Sequence, residues 1–514
     1  MEKTIYTLWN RSAGEYASLP AIRWLEKKDI KEISYADLND KVAGIRRGLA
    51  EEGFSGAHIA LIGASSVEWM AAYLAVTTGD NTAIPVEIGL PPKDILNLID
   101  RSDTSCVFME KRFAPLAESM KESCPKVRAV YFLTEEDSET EKNLKHLIEA
   151  GKSGKDAKIP SANDIATLVY TSGTTGKSKG VMLTHENLYS NVEAIIYDVE
   201  PGKVFLSTLP IHHAFCLCMD WLQGFWMGAV ICINDSYMHM VRNMGLFKPD
   251  VMLMVPLMLE TIYKKLKAAD PSIPPAVMGQ KVFGGKLKHI FTGGAHLDPF
   301  YIDEFEKYGI MVLEGYGMSE CSPVITSNRV SEHKAGSIGR PLSNVEIKIE
   351  NGEILVRGSS VMKGYYEMPE ETAATLKDGW LHTGDKGYID EDGYLFINGR
   401  VKNLIILSNG ENISPEEIET KLALNDIVEE VIVTGDNNAL TARIYPSKEL
   451  TENMGEDDIR AELQKVLDNY NSDQPTYRRI TGLIVRKNPF IKNATRKILR
   501  HEVERDEPQL TPQP

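Results

Sequence analysis

The 514-residue chain has few cysteines, and their spacing builds neither a disulfide framework nor a metal site. Six cysteines are scattered along it, and Cys216-x-Cys218 lacks the second ligand pair that a zinc site needs nearby. We therefore expect reduced, mostly buried thiols. The N-terminal stretch MEKTIYTLWNRSAGEY has no apolar run after its first charges, which predicts no signal peptide and a cytoplasmic location.

Long uninterrupted apolar runs are also scarce. The most membrane-like segment, residues 211–233, contains His212, His213, Asp220 and Gln223, which a lone spanning helix would hold at considerable cost. We predict no transmembrane segment, and interpret these residues as a buried element that lines an apolar cavity.

Positive charge is in deficit, with 57 Lys and Arg against 73 Asp and Glu and a net charge of −16. This argues against nucleic acid or an anionic membrane as the main partner, although a local basic patch can still hold a phosphate. The length exceeds the roughly 250 to 300 residues at which single cores stop growing, which predicts at least two domains.

Helices and strands alternate in the first part of the chain. Ser34 and Asp37 form a capping-box pattern that opens an amphipathic helix with Gly53 as its stop. The strand HIALIG, a helix over 67–78 and the strand TAIPV follow. Similar alternation to about residue 327 predicts layered, parallel α/β subdomains.

The pattern then changes. Asn351-Gly352 and Asp392-Gly393 lie between apolar runs, as two-residue hairpin turns do, which predicts an antiparallel β subdomain over 336–400. In SPEEIETKLA, Ser414 is the predicted cap, Pro415 the first helical residue and Glu417 the residue that closes the box. Three short strands follow. We predict an N-terminal domain over 1–400 and a small α+β domain over 401–514.

The stretch LVYTSGTTGKSKGVMLTH, residues 168–185, combines glycine, hydroxyl and lysine residues in one loop after a β-type run. Such a loop offers backbone N–H groups and ammonium groups to an anion. Gly173 and Gly176 are too close together for the Walker A pattern, so we disfavour an ordinary P-loop kinase or ATPase. The alternative is a surface turn without a ligand.

This loop resembles the phosphate loop of the adenylate-forming superfamily, which comprises acyl- and aryl-CoA synthetases, luciferases and adenylation domains of nonribosomal peptide synthetases. Further motifs of that superfamily occur in its order: LPIHHAFC at 209, FTGGAHLDP at 291, EGYGMSECSPV at 314, WLHTGDKGYID at 380, GRVKNLIILSNGENISPEEIE at 399 and KNPFIKNATRKILR at 487. The residues of these motifs are most similar to those of fatty acyl-CoA synthetases.

The resemblance implies an ATP site and a set of residues that bind the nucleotide. The phosphates would lie against Thr171, Ser172, Gly173, Thr174, Thr175, Gly176, Lys177 and Lys179. The adenosine would contact Gly293, Gly294, Ala295, Gly315, Tyr316, Gly317 and Ser319. Tyr316 would stack on the adenine, and Asp385, in a turn, would bind the ribose diol with Arg400 as an added donor. Glu320 would hold Mg²⁺, with Thr174 as a second contact.

The same resemblance bears on the acid. His213 stands where the family carries a residue beside the substrate carboxylate, and Ala214 stands where members that activate amino acids carry an Asp. We therefore expect a fatty or aryl acid. The apolar residues Phe215, Leu217, Trp221 and Phe225 fit either an acyl pocket or a helix core, and the sequence does not decide between these.

The implied activity is an AMP-forming ligation of an acid to coenzyme A, through an acyl-adenylate. The family pivots its C-terminal domain at the position of Lys402, and Gly410 matches a position that lines the pantetheine channel. Three alternatives stay open: transfer to an acyl carrier protein instead of free CoA, a luciferase-like oxygenase, and a non-catalytic acyl-nucleotide binder. No nucleic-acid partner is expected.

Near the C-terminus, Thr495 to Arg500 match a family pattern in which a lysine bridges the acid and the α-phosphate. Arg496 replaces the glycine that the family carries there. Lys497 keeps the register and is the predicted catalytic lysine, while Lys492 is the alternative.

Overall fold

The computed structural model describes residues 2–138, 140–152, 154–171, 178–406, 412–436, 439–492 and 498–503. Helices and strands alternate through the first two thirds of the chain. The helices there are α1 (Ile5–Glu15), α2 (Tyr35–Glu51), α3 (Val67–Thr78), α4 (Pro92–Arg101), α5 (Ala114–Ser123), α6 (Leu144–Ala150), α7 (His185–Ala194), α8 (Ala214–Cys216), α9 (Gln223–Trp226), α10 (Met240–Phe247), α11 (Pro256–Lys267), α12 (Pro275–Val282) and α13 (Pro299–Lys307).

The strands of this part are β1 (Pro20–Glu26), β2 (Asp29–Ser34), β3 (His58–Ile62), β4 (Thr82–Val86), β5 (Thr104–Met109), β6 (Ala129–Phe132), β7 (Ile165–Thr171), β8 (Lys179–Thr184), β9 (Val204–Ser207), β10 (Val230–Ile233), β11 (Val251–Met254), β12 (His289–Thr292), β13 (Met311–Gly317), β14 (Val324–Ser327) and β15 (Arg340–Pro341). A π-helical turn, Leu217–Leu222, joins α8 to α9.

Local sequence signals account for the predicted elements. The Ser34 hydroxyl accepts a hydrogen bond from the Asp37 backbone N–H at 3.0 Å, so α2 begins where its capping pattern stands. Its apolar residues at spacings of three and four are buried. Helix α3 and strand β4 also have the bounds predicted from sequence.

Two mixed sheets enclose the main apolar core. Nine strands form one sheet in the order β15-β14-β13-β12-β11-β9-β10-β1-β2, where β13 to β1 run parallel. In the other sheet, β6, β5, β3, β4 and β7 are parallel and β8 is antiparallel to β7. The carboxyl ends of β9, β12 and β13 share one edge of the nine-stranded sheet, a usual location for ligands in open α/β sheets.

The next region is built mainly from antiparallel strands. Its elements are β16 (Val345–Glu350), β17 (Glu353–Gly358), β18 (Gly364–Tyr365), α14 (Pro369–Thr375), β19 (Leu376–Lys377), β20 (Trp380–Ile389) and β21 (Leu395–Arg400). Strand β18 joins β8, and the other strands form one five-stranded sheet.

The two predicted hairpin turns differ in outcome. Asn351 and Gly352 have positive φ angles of 52° and 80° and form the predicted two-residue turn between β16 and β17. The prediction for Asp392-Gly393 is wrong, because β20 and β21 are joined by a longer loop. The Asp390 carboxylate fixes that loop by accepting the backbone N–H groups of Asp392 at 3.1 Å and Tyr394 at 2.8 Å.

The C-terminal region has an apolar cluster of its own, which includes Ile418, Leu440 and Leu463. Its elements are β22 (Ile405–Ile406), β23 (Asn412–Ile413), α15 (Pro415–Ala423), β24 (Val428–Asp436), β25 (Ala439–Pro446), α16 (Lys448–Thr451), α17 (Glu456–Ser472) and β26 (Ile480–Val485). Strands β24, β25 and β26 form a three-stranded sheet.

Helix α15 begins at Pro415 as predicted, but the predicted capping box is wrong. The Ser414 side chain lies against Gly399, and its hydroxyl donates to Glu416 Oε2 at 3.1 Å instead of accepting a backbone N–H. Glu417 forms an ion pair with Arg478 at 2.5 Å. The Ser414 side chain is engaged by Gly399 and Glu416 and the Glu417 side chain by Arg478, so neither caps the helix.

All six cysteines are buried and none is bonded to another, as expected. Among the residues that the structure describes, no helix has the length and apolar character needed to cross a membrane.

Candidate nucleotide and acyl site

Three of the sequence motifs meet at the carboxyl edge of the nine-stranded sheet. LPIHHAFC follows β9, TGGA begins at the last residue of β12, and EGYG lies in β13. A Cβ atom placed on Gly293 would lie 2.9 Å from the Gly315 carbonyl oxygen and 3.9 Å from the Phe215 ring. A glycine at position 293 therefore allows the close approach of its segment to Gly315, with Phe215 in ordinary contact beside them.

Tyr316 and Asp385 are joined directly, although 69 residues separate them. The Tyr316 hydroxyl donates to Asp385 Oδ2 at 2.6 Å, and Arg400 Nε lies 3.1 Å from Asp385 Oδ1. Burial, together with the nearby Asp385 carboxylate, raises the pKa of Tyr316, so the phenol stays a neutral donor. The structure thus joins three of the residues predicted to bind adenosine.

Asp385 lies on a strand, which corrects the expectation that it lies in a turn. It occupies β20, faces Arg400 across the β20–β21 ladder and is only 5% exposed. Gly384 in this motif has a positive φ of 72°. The motif therefore looks like a turn in the sequence, although it lies at an irregular point of strand β20.

The glycines of these motifs have different roles. Gly294 has φ of +83°, and a Cβ atom there would meet open space, so its backbone edge is accessible to a ligand. Ala295 beside it is exposed. At Gly317, by contrast, a Cβ atom would lie 1.9 Å from the Pro323 carbonyl oxygen, so packing alone requires glycine there.

Glu320 lies beside the base of the predicted phosphate loop. Thr171 and Lys179 pair across β7 and β8, and Lys179 Nζ lies 4.7 Å from the centre of the Tyr365 ring. The Tyr365 hydroxyl donates to Glu320 Oε1 at 2.8 Å. Glu320 itself is part of a short 3₁₀ turn that starts at Ser319. The loop residues Ser172, Gly173, Thr174, Thr175, Gly176 and Lys177 lie outside the described residues.

A single carboxylate such as that of Glu320 fits a magnesium ion that arrives with a nucleotide. Mg²⁺ keeps several waters and takes other ligands from substrate phosphates, so one or two carboxylates suffice. The part of the chain that the structure describes has no group of three or more His, Cys, Asp or Glu side chains that would form a complete metal cage.

The histidine pair lies on the side of the site predicted for the acid. The His212 and His213 ring centres are 4.4 Å apart. Burial lowers the pKa of both, that of His212 to about 3, so both rings are neutral at pH 7. Two buried atoms at this edge, His212 Nε2 and Thr292 Oγ1, have no hydrogen-bond partner among the described residues. Such orphaned atoms point to a polar ligand or water.

The four apolar residues after His213 divide between the two roles that the sequence left open. Leu217, Trp221 and Phe225 are fully buried, and the Phe225 ring packs edge-on against Trp9 and Tyr35, so these are core residues. Phe215 is partly exposed and lies near Gly293, at the motif edge. Phe215 is therefore the one member of the four that faces the site.

Asp220 lies within the segment 211–233, which is buried as predicted, but sequence reasoning gave it no role of its own. It is in the π-helical turn, where Oδ2 accepts from Ser207 Oγ at 2.9 Å and lies 3.6 Å from Cys216 Sγ. Burial raises its pKa to about 7. The sequence did contain a signal for a special role, namely an acidic residue inside an apolar run.

At the C-terminal end, the two candidate lysines have different surroundings. Lys492 Nζ lies 2.7 Å from the buried Glu430 carboxylate, which also accepts the Phe490 backbone N–H, so Lys492 has a structural partner. Lys497 and Gly410 lie outside the described residues. Lys402 is in an exposed turn directly after Arg400, and Arg500 forms an ion pair with Glu419 of α15.

Comparison with known protein families matches most of the chain. A family model described as AMP-binding enzyme matches residues 9–366, and one described as AMP-binding enzyme C-terminal domain matches residues 402–506. This chain belongs to the AMP-binding enzyme family. The resemblance inferred from the motifs is confirmed.

Several curated relatives of this AMP-binding enzyme are fatty acid ligases. A long-chain-fatty-acid–CoA ligase of Bacillus subtilis (strain 168) is 37% identical over 298 residues, 54% of this chain and 51% of that protein. Long-chain-fatty-acid–CoA ligase 5 of Rattus norvegicus is 28% identical over 510 residues, covering 85% of this chain and 74% of that protein. The alignment thus spans about half of the Bacillus relative. The predicted enzyme class, an AMP-forming acid–thiol ligase, is confirmed.

Solved structures share the fold of this AMP-binding enzyme. The anthranilate CoA ligase AuaEII, in complex with anthranoyl-AMP, superposes with a TM-score of 0.83 at 19% identity, covering 98% of this chain and 96% of that one. ATP-bound MatB from Rhodopseudomonas palustris gives 0.80 at 24% identity, covering 98% of both chains. The predicted α/β architecture with a separate C-terminal domain is confirmed.

Proposed function

We propose that this enzyme activates a fatty acid with ATP and transfers the acyl group to coenzyme A. The observation that carries the proposal is the Tyr316–Asp385 hydrogen bond of 2.6 Å, because it unites the motifs that would bind the adenine and the ribose. The fatty acid ligases among the relatives support the choice of acid.

The nucleotide would lie along the carboxyl edge of the nine-stranded sheet. Adenine would stack on Tyr316 opposite the open backbone at Gly294, and the ribose hydroxyls would bind Asp385. The triphosphate would extend toward Lys179 and Glu320, which both contact Tyr365. Magnesium bound at Glu320 would offset the negative charge of the phosphates.

The reaction proceeds in two half-reactions. A carboxylate oxygen of the acid attacks the α-phosphorus of ATP, the bond to the pyrophosphate oxygen breaks, and acyl-AMP forms. The CoA thiolate then attacks the acyl carbonyl, and AMP leaves. Lys497 would bridge the carboxylate and the α-phosphate in the first step, and the neutral His213 would lie beside the carboxylate.

The acyl side of the site supports an apolar acid. Ala214 offers no carboxylate to the ammonium group of an amino acid, and it is buried beside the partly exposed Phe215. A buried ammonium without a counter-ion would carry a large desolvation cost. We therefore propose that free amino acids are not substrates.

The test is pyrophosphate exchange into ATP with a panel of fatty acids, benzoate-type aryl acids and α-amino acids. We expect exchange with fatty acids to exceed that with every amino acid at least ~100-fold, because the amino acid's charge is unpaired. An α-amino acid that exceeds all fatty and aryl acids would overturn the proposed acid class.

The acceptor is tested with the best acid from that panel. Thioester formation is measured with free CoA and, separately, with a phosphopantetheinylated acyl carrier protein. We expect product with free CoA. Product with the carrier protein alone would reject CoA as the acceptor, and acyl-AMP formation without either thioester would reject the ligase.

A further inference from the structure

The outward side of α10 is unusually apolar for a surface helix. Met238, just before the helix, is 84% exposed, Val241 is 38% exposed and Leu246 is 47% exposed. Met240, Met244 and Phe247, on the opposite side, are buried. A surface helix normally has polar residues on its solvent side, so these exposed apolar side chains call for a partner.

Helix α12 extends this surface. Helices α10 to α13 connect parallel strands that follow one direction across the sheet, so right-handed crossovers place all four on one face. A Cβ atom on Gly284, just after α12, would lie 2.2 Å from the Met244 carbonyl oxygen, so the two helices are close neighbours. Val277, on α12, is 54% exposed.

The same part of the chain is basic, although the protein is acidic. Residues 240–290 contain eight Lys and Arg and three Asp and Glu, a local net charge of +5, whereas the whole chain carries −16. Of the three acids, Glu260 is shielded from solvent, and this burial raises its pKa. Positive charge is therefore concentrated where apolar side chains are exposed.

Three lysines on this surface are available to an anionic partner. Lys248, Lys281 and Lys286 are exposed, and no carboxylate within the described residues forms an ion pair with them. Arg242 is engaged, since its guanidinium lies 2.9 Å from Asp235. We define the basic apolar face as the set Tyr237, Met238, Val241, Leu246, Lys248, Val277, Lys281 and Lys286.

We propose that the basic apolar face docks the protein on a bilayer that contains anionic phospholipid. Met238, Val241 and Leu246 would enter the boundary between headgroups and acyl chains, while the lysines bind lipid phosphates. Docking of this kind needs no helix that spans the bilayer.

The charge pattern favours a lipid surface over the other occupants of such a face. A second copy of this chain would bring two basic faces together, which repel. Nucleic acid would bind the lysines, but it gives no role to a fully exposed methionine and its aliphatic neighbours.

The total charge of −16 disfavours an anionic membrane as a partner for the surface as a whole, but it does not prevent docking through one basic face. Electrostatic interactions in solution are screened over about 8 Å at physiological ionic strength, so a membrane responds to the nearest face rather than to the sum over the chain. The proposal goes beyond the proposed function and stands whichever acid is activated. If the acid is a fatty acid, docking would bring the enzyme to the bilayer that holds it.

The experiment measures binding of the full chain to vesicles by flotation, without ATP, acid or CoA. The vesicles are phosphatidylcholine alone, or phosphatidylcholine with about one quarter phosphatidylglycerol. We expect binding only to the second kind, and weaker binding as salt is raised. Because no substrate is present, failure here is distinct from failure of the proposed ligase activity.

Two double variants separate the two contributions. Met238→Ser with Val241→Ser removes apolar contacts, and Lys281→Glu with Lys286→Glu reverses charge. Each changes exposed side chains only. Either should lower the vesicle partition coefficient at least ~10-fold. The matched control, Ile159→Ser with Lys155→Glu, changes one exposed apolar and one exposed basic residue elsewhere and should have no effect.

Three outcomes would overturn the proposal. They are the absence of binding to the anionic vesicles, equal loss in the control variant, and a stable dimer in sedimentation that Met238→Ser with Val241→Ser dissociates. The last would assign the face to a second copy of the chain.

Discussion

Asp385 shows how one carboxylate is shared between the fold and the candidate site. One oxygen accepts the Tyr316 hydroxyl and the other lies 3.1 Å from Arg400 Nε. The residue is buried, so an Ala substitution would leave the phenol and the guanidinium without their partner as well as removing the proposed ribose contact. Asparagine is the cleaner change, because it keeps an acceptor for Tyr316 while removing the charge.

We expect Asp385→Asn to weaken ATP binding about 10- to 100-fold, since hydrogen bonds to a charged group are worth roughly 1.5 to 3 kcal/mol. Titration calorimetry with MgATP measures the affinity, and thermal unfolding checks the fold. Asp392→Asn, at a surface carboxylate paired with Lys334, is the matched control and should bind ATP normally. If the two variants bind ATP equally well, Asp385 does not contact the ribose.

At the scale of elements, the π-helical turn Leu217–Leu222 holds an acid in the main core. Asp220 has two hydrogen-bond partners on its Oδ2 atom and none on Oδ1 among the described residues. Burial raises its pKa from about 3.8 in a model peptide to about 7. The folded protein therefore keeps a proton on this group that the unfolded chain loses.

The raised pKa of Asp220 makes the folded protein less stable as pH rises. The stabilisation is fully present below pH 3.8 and is lost as pH rises through about 7. The loss is about 1.4 kcal/mol per pH unit in that window. Asp220→Asn removes this dependence. The free energy of unfolding of the variant, relative to that of the wild type, should therefore rise by at least ~2 kcal/mol between pH 5 and pH 7.

Urea unfolding followed by tryptophan fluorescence measures this difference, because all six tryptophans precede residue 400 and so report on the N-terminal region. Asp40→Asn, at an exposed position of α2, is the control and should keep the wild-type pH dependence. A constant difference between Asp220→Asn and wild type across this range would show that Asp220 is ionised in the folded state.

Sequence patterns predicted those elements whose cause is local. Helix α2 has its cap at Ser34, and the turn at Asn351-Gly352 needs only residues that tolerate positive φ. One error arose where a distant contact decides, because Ser414 is held at Gly399 instead of capping α15. The other has a local cause, since the Asp390 side chain binds backbone N–H groups two and four residues later and so sets the length of the β20–β21 loop.

The same distinction applies to the candidate site. Motif spacing indicated Tyr316, Asp385 and Arg400 one by one, but their hydrogen bonds depend on β20 lying beside β13, which no local pattern encodes. Tyr365 was missed for this reason, since it connects Lys179 to Glu320 across two sheets. A tyrosine in a polar, turn-rich stretch gave no signal of its own.

At the scale of the whole molecule, the contacts between the two proposed domains decide how freely the C-terminal region could rotate. We propose that the chain divides at residue 400 and pivots at Lys402. Across that point, Gly399 lies against Ser414, and Lys267 forms an ion pair of 2.9 Å with Asp426 in which both side chains are exposed. An exposed ion pair contributes about 0 to 1 kcal/mol, so breaking this pair on rotation would cost little. Rotation would also remove Leu424 of the C-terminal region from its packing against the main core.

The proposed rotation separates the chemistry of the two half-reactions, and Lys497 tests it. In the adenylating arrangement its ammonium group would offset the repulsion between the acid and the α-phosphate. We expect Lys497→Ala to slow acyl-AMP formation at least ~10²-fold, which is typical for losing one group that stabilises a transition state. Thioester formation from supplied acyl-AMP should keep its normal rate, because the rotated domain no longer presents this lysine.

Lys492→Ala is the matched control for this prediction, since Lys492 is a second lysine of the same basic stretch whose ammonium is paired with Glu430. Rapid-quench measurement of each half-reaction should show near-normal chemistry in both steps, with reduced thermal stability because a buried carboxylate loses its partner. Slow adenylation in Lys492→Ala but not in Lys497→Ala would assign the role to Lys492. If both half-reactions slow equally in Lys497→Ala, the lysine supports the fold and the two steps do not use different arrangements of the C-terminal region.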